Sequence, residues 1–177
     1  PTLEKITMGQ CTSNDLRGVG VALVTPFTAD GLVDYSALDQ LVNHCIAGGC
    51  SYLVALGTTG ETATLSMDEQ QVVLNKVISA VKGRIPVFAG LGGNNTQEVI
   101  QRIPLLNQEG VDGFLSSSPH YNKPTQEGIF RHYMAIAEAS PKPIILYNVP
   151  SRTGQSMDSS TVLRLAEASK KFIGIKE

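Results

Sequence analysis

Two apolar patterns alternate along the chain. Short unbroken apolar runs, closed by Gly or Pro, are followed by longer stretches in which apolar residues recur every three or four positions. The first pattern predicts strands buried on both faces, the second amphipathic helices. "GVGVALVTPF" (18–27), "SYLVALG" (51–57), "PVFAGLGG" (86–93), "GFLSSSP" (113–119), "PIILYNVP" (143–150) and "FIGIKE" (172–177) read as six strands. The five stretches between them read as helices. In "DYSALDQLVNHCIAGG" (34–49), Asp34 is the N-cap, Leu38, Leu41, Val42, Cys45 and Ile46 form the apolar face, and Gly48 is the stop. In "SMDEQQVVLNKVISAVKG" (66–83), Ser66 and Glu69 have the spacing of a capping box. Residues 1–17 are polar and unpatterned. They are expected to be a flexible leader or an expression remnant, leaving 18–177 as one domain.

Strands alternating with helices of this length imply an α/β protein with a parallel sheet covered by helices. An open doubly wound sheet and a (β/α)8 TIM barrel both satisfy that pattern. A dinucleotide fold calls for GxGxxG after its first strand, where this chain has "PFTADG" (26–31). "GLGGNN" (90–95) carries Asn95 in place of the last glycine, and there is no GxxxxGK[ST] loop.

Composition narrows function by exclusion. With 14 Lys plus Arg against 16 Asp plus Glu and no basic run, nucleic acid and anionic membrane are not expected partners. No apolar stretch is long enough to span a membrane, and no charged-then-apolar leader is visible, so a cytoplasmic setting is expected. Cys11, Cys45 and Cys50 form no CxxC pair and read as reduced packing thiols. No Asp, Glu or His cluster has metal-ligand spacing, so neither a metal nor another cofactor is expected.

In parallel α/β folds chemistry gathers beyond the C-terminal ends of the strands. Those ends read "GTTGE" (57–61), "SPHYNKPTQEG" (118–128), "YNVPSRTG" (147–154) and, on the sixth strand, Lys176. A lysine at a strand tip is ordinarily a solvated end residue. The apolar lead-in of Ile173-Gly174-Ile175 argues for a nucleophile instead, because an amine held in a dry pocket loses its proton more readily. Taken singly, Tyr147 could be a packing tyrosine, Thr58 and Thr59 could cap a turn, and Arg152 could be a surface residue. His44, His120 and His132 belong to no cluster with an acidic partner and read as packing or surface histidines.

Together, "GTTGE", "YNKPTQEG", "YNVPSRTG" and "GIKE", in this order and spacing, resemble the dihydrodipicolinate synthase family of pyruvate-dependent class I aldolases. The resemblance runs from about Gly18 to Glu177. It implies a (β/α)8 barrel of which this chain covers roughly strands one to six. It implies a Schiff base between Lys176 and pyruvate, followed by addition to aspartate semialdehyde. Tyr147, Thr58 and Tyr121 would form a proton relay. Gly57 and Thr59 would hold the pyruvate carboxylate, and Arg152 would clamp that of the semialdehyde. A homodimer or homotetramer is implied, with Tyr121 reaching across the interface. A sibling aldolase of the N-acetylneuraminate lyase kind, acting on another 2-keto acid, would keep Lys176 and Tyr147 without needing Arg152. Asn94, Glu98 and His120 fall where feedback-inhibited members bind lysine. Met67 and Gln70 stand where lysine-sensitive members commonly carry histidine, so weak inhibition is expected.

The barrel implied by this resemblance closes with eight strands. The six strands and five helices read here therefore lead to the expectation of a chain ending in mid-domain. Residues 1–177 made alone would then fold poorly, associate through open edges and lack activity.

Overall fold

The computed structural model describes residues 11–106 and 109–177; residues 1–10, most of the expected leader, lie outside them. Six parallel strands form one sheet in sequence order: β1 Gly20–Ala22, β2 Tyr52–Ala55, β3 Val87–Leu91, β4 Gly113–Ser117, β5 Ile144–Tyr147 and β6 Phe172–Lys176. Between them lie α1 Tyr35–Ala47, α2 Met67–Val81, α3 Thr96–Leu106, α4 Gln126–Ala139, α5 Pro150–Thr153 and α6 Ser159–Ala168. Strand order that follows chain order, with a helix in each crossover, is the partial (β/α)8 barrel expected; β1 and β6 are the sheet's edges.

Local signals act where the sequence places them. The Asp34 carboxylate accepts from the Ser36 and Ala37 amides at 3.0 and 2.9 Å and starts α1. Ser66 and Glu69 close their capping box at α2: the Glu69 carboxylate accepts from the Ser66 amide at 2.8 Å, and the Ser66 hydroxyl accepts from the Glu69 amide at 3.2 Å. Three details differ from expectation. The first strand is short, because its ladder ends at Leu23, whose amide donates to Val54 O, before the chain turns at Pro26. Gly48 ends α1 with an ordinary φ of −74°, and the left-handed turn falls on Gly49 at +84°. Inside "YNVPSRTG" a sixth, single-turn helix begins at Pro150, whose fixed φ suits a first helical position.

Both faces of the sheet are covered. Leu53, Val87, Ala89, Phe114 and Ile144 point outward and pack under the helices with Leu38, Leu74, Val77 and Ile136. Val54, Phe88, Leu115, Ile145 and Tyr147 point inward and form a separate inner cluster. Against that cluster sit Cys11 and Leu16, from the end of the expected leader. Here Ser13–Leu16 form a single 3-10 turn, started by the Thr12 amide donating to the Asp15 carboxylate at 2.7 Å. This polar stretch is thus packed against the inner cluster through Cys11 and Leu16. Cys50 is buried, Cys11 and Cys45 are half-buried, and none is in a disulfide; burial pushes the Cys11 thiol up to about 11. Among the described residues no helix is long and apolar enough to cross a membrane.

Candidate active site

The C-terminal tips of β2 to β5 and the loops beyond them enclose a cavity of about 490 Å3. Leu56, Gly90, Leu91 and Leu115 give it apolar walls; Gly57, Thr58, Ser117, Tyr147 and Arg152 bring polar groups to it. The loop after β2 is shaped by backbone that L-residues seldom adopt. Leu56 has φ +57° and Glu61 φ +53°, and between them Thr58–Gly60 make one 3-10 turn. That turn delivers the Thr58 hydroxyl to within 3.2 Å of the Tyr147 hydroxyl, 89 positions away in sequence. The Thr62 hydroxyl donates to Gly57 O at 3.0 Å and ties the loop to itself.

Lys176 reaches the same mouth through an irregularity in β6. Phe172 stands opposite Ile144, but Gly174, rather than Ile173, stands opposite Ile145, so one residue of β6 is bulged. Side chains alternate along a strand, so each bulged residue turns all later side chains to the other face. Phe172 points outward, against Tyr133; Ile173 and Gly174 both face the inner cluster, Gly174 opposite Leu16. Ile175 then points outward and Lys176 inward. Paired in register with Tyr147, Lys176 holds its amine 5.4 Å from the centre of the Tyr147 ring. Without the bulge the lysine would lie on the helix side of the sheet.

The residues singled out in the sequence divide into two groups. Gly57, Thr58, Tyr147, Arg152 and His120 line the cavity, and Lys176 lies beside it against Tyr147. Thr59 is exposed on the turn. Tyr121 is 86% exposed, held at φ +66°, and is not among the residues that line the cavity. Asn94 and Glu98 are exposed near the mouth: Asn94 O accepts from Asn122, and the Glu98 carboxylate accepts from Asn95. His132, a packing histidine as expected, is buried with its Nδ1 2.8 Å from the Thr96 hydroxyl; burial depresses its pKa to about 4.

Sequence reading missed Arg102 and the task of Gln70. The Arg102 guanidinium donates to Gly92 O at 3.0 Å and to Gln70 Oε1 at 2.8 Å, while Gln70 Nε2 donates to Leu65 O at 3.0 Å and Thr62 O at 3.2 Å. This bridge fastens the loop after β2 to the end of β3 and forms one cavity wall. Nothing in "TQEVIQRIPLL" marks Arg102, because only the packing of α3 beside α2 aims it inward. Asn148 was likewise unmarked, although a polar residue directly after the apolar run "PIILY" was a visible signal.

An amine, a phenol and a threonine hydroxyl at neighbouring strand tips, above a mostly apolar cavity with an arginine at its rim, suit carbonyl chemistry on small acids. Among the described residues no three His, Cys, Asp or Glu side chains come together as a metal site. The 4-hydroxy-tetrahydrodipicolinate synthase of Flavobacterium psychrophilum is 54% identical over 160 residues, which cover 90% of this chain and 55% of the relative. A pyruvate-complexed dihydrodipicolinate synthase from Acinetobacter baumannii matches with a TM-score of 0.87 at 48% identity, over 90% of this chain and 54% of that one. A monomeric dihydrodipicolinate synthase variant matches with a TM-score of 0.89 at 39% identity, over 93% and 55% of the two chains. The chain therefore spans about half the length of the relatives it matches. The family model for dihydrodipicolinate synthetases covers residues 15–177, and with these identities it establishes that the chain belongs to the dihydrodipicolinate synthetase family.

Proposed function

We propose that this chain carries the catalytic lysine of a 4-hydroxy-tetrahydrodipicolinate synthase, a lyase that condenses pyruvate with aspartate semialdehyde on the route to diaminopimelate and lysine. The observation that carries this reading is the pairing of Lys176 with Tyr147 in one register, with Tyr147 hydrogen-bonded to Thr58.

The Lys176 amine attacks the C2 ketone of pyruvate, and the carbinolamine loses water to leave an iminium. That cation draws electrons from the adjacent methyl group, which gives up a proton to form an enamine. The enamine carbon adds to the aldehyde carbon of the semialdehyde, forming the C–C bond as the aldehyde oxygen takes a proton. The semialdehyde's own amine then attacks the iminium carbon and displaces Lys176, closing the ring. Each step needs a proton moved at a hydroxyl beside the amine, a task that suits Tyr147 with Thr58 behind it. Gly57 and Thr59 offer backbone and hydroxyl groups for the pyruvate carboxylate. Arg152, on the cavity rim, suits the second carboxylate because its planar guanidinium can bind one bidentately.

Self-association as a homodimer or homotetramer belongs to the same reading. Tyr121 is displayed rather than buried, which leaves it accessible to the proton relay of another subunit. A cytoplasmic setting belongs to it as well, because both substrates are small soluble metabolites.

The test is borohydride trapping. Full-length protein treated with pyruvate and borohydride is expected to carry a stable adduct on the peptide containing Lys176. An adduct on Lys170 or Lys171 instead sinks the assignment.

A further inference from the structure

We infer that Asn148 and Glu177 lock β6 in the register that turns Lys176 into the barrel, which makes both of them positioning residues. The inference rests on the assignment of Lys176 as the Schiff-base lysine.

The register of β6 is poorly specified by its own residues. "FIGIK" has apolar side chains at Phe172, Ile173 and Ile175, so either parity buries something, and alternation does not choose between them. Straight pairing from Phe172 would set Lys176 opposite Asn148 and point it at the helices; the observed bulge sets it opposite Tyr147. Contacts at the tip of the strand favour the bulged form. The Asn148 backbone amide donates to Lys176 O at 2.8 Å. The Asn148 side-chain amide donates to both carboxylate oxygens of Glu177, at 3.2 and 3.1 Å. The other end of that side chain, Oδ1, accepts from the Met157 amide at 2.9 Å.

Asn148 is only 6% exposed, so its amide is held from two sides in a place where losing a partner is costly. Slipping β6 back by one residue moves Glu177 by roughly 3.3 Å, beyond hydrogen-bond reach, and leaves the buried amide protons unpaired. The carboxylate after the lysine is thus a stop that fixes the strand one position late. Because Met157 leads into α6, the same side chain couples the loop after β5 to the tip of β6.

The experiment measures the rate of borohydride-trapped adduct formation on Lys176 with pyruvate in full-length protein, together with thermal melting. Glu177→Ala removes the acceptor of the Asn148 side-chain amide and no apolar packing. It is expected to melt a few degrees below the parent, to slow adduct formation about tenfold or more, the worth of one charge-assisted hydrogen bond, and to change pyruvate KM little. Asn148→Asp sets two carboxylates against each other and is expected to slow the reaction further. Asn148→Asp combined with Glu177→Gln restores a hydrogen bond of reversed polarity, while the carboxylate introduced on β5 can still accept from the Met157 amide. This pair is expected to recover most of the rate. A purely structural role would not give rescue of the trapping rate by this swap. Parent-like rates in both single variants, or a double variant no faster than Asn148→Asp, overturn the inference alone. Absence of any adduct on Lys176 in the parent overturns the Schiff-base assignment and this inference with it.

Discussion

Gly90, near the C-terminal end of β3, lies against the loop that carries Thr58. A Cβ added at this position would fall 1.9 Å from Leu56 O, 2.5 Å from Leu56 C and 3.0 Å from Gly57 N. All three are backbone atoms, so no side chain can rotate away, and the Leu56–Gly57 peptide must retreat by at least about 1 Å to reach a normal contact. Leu56 already sits at φ +57°, an unfavourable region for a leucine, and has little freedom to absorb the shift. Gly90→Ala is therefore expected to cost roughly 1–3 kcal/mol as overpacking, or roughly 2–12 °C in Tm. Its effect on catalysis is expected to be larger. Thr58 follows Gly57 directly, and a displacement of about 1 Å breaks its 3.2 Å contact with Tyr147; misplacement of that size costs on the order of a hundredfold in rate. The assay is thermal melting with steady-state condensation of pyruvate and aspartate semialdehyde, beside Gly83→Ala as reference. Gly83 has φ +68° and no neighbour within 4 Å of its added Cβ, so that substitution costs backbone strain alone and spares kcat. A Gly90→Ala enzyme with parental kcat, or losing no more than Gly83→Ala, would refute the steric argument.

Arg152→Ala is expected to weaken use of aspartate semialdehyde about ten- to hundredfold while leaving pyruvate adduct formation nearly unchanged; equal effects on both in trapping and steady-state assays would remove the clamp role. Inhibition by lysine is expected to be weak or absent, because both ends of the Gln70 amide are already engaged by Arg102, Leu65 and Thr62; strong inhibition at micromolar lysine would contradict this. His132 has a folded pKa of about 4 against an ordinary 6.5, so the unfolded chain binds its proton first as pH falls. Its contribution is intact above pH 6.5 and is lost progressively between 6.5 and 4, up to about 3 kcal/mol. His132→Asn, which can keep the Thr96 contact, should flatten the dependence of Tm on pH across that window.

How much of this was legible in the sequence depended on how local the governing physics was. All six strands, the caps at Asp34 and Ser66, and the parallel helix-covered architecture followed from periodicity and side-chain chemistry within a few residues. They survive in the structure because burial on both faces of the sheet agrees with them. The strand-tip motifs likewise pointed to Thr58, Tyr147, Arg152 and Lys176, since the end of an apolar run is visible in the sequence itself. Distances between distant segments were not legible. The Thr58–Tyr147 contact depends on a loop bent through two left-handed residues, and the Arg102–Gln70 bridge on how α3 lies beside α2. The direction of Lys176 was the least legible feature. Strict alternation from the outward Phe172 would have pointed the lysine at the helices, and one bulged residue reverses it. Whether a strand bulges is decided by what its neighbour offers: here an inner cluster that accepts Ile173, Leu16 beneath Gly174, and Asn148 at the tip holding Glu177. Those partners come from segments far apart in the chain, so only the assembled sheet could place the amine beside Tyr147.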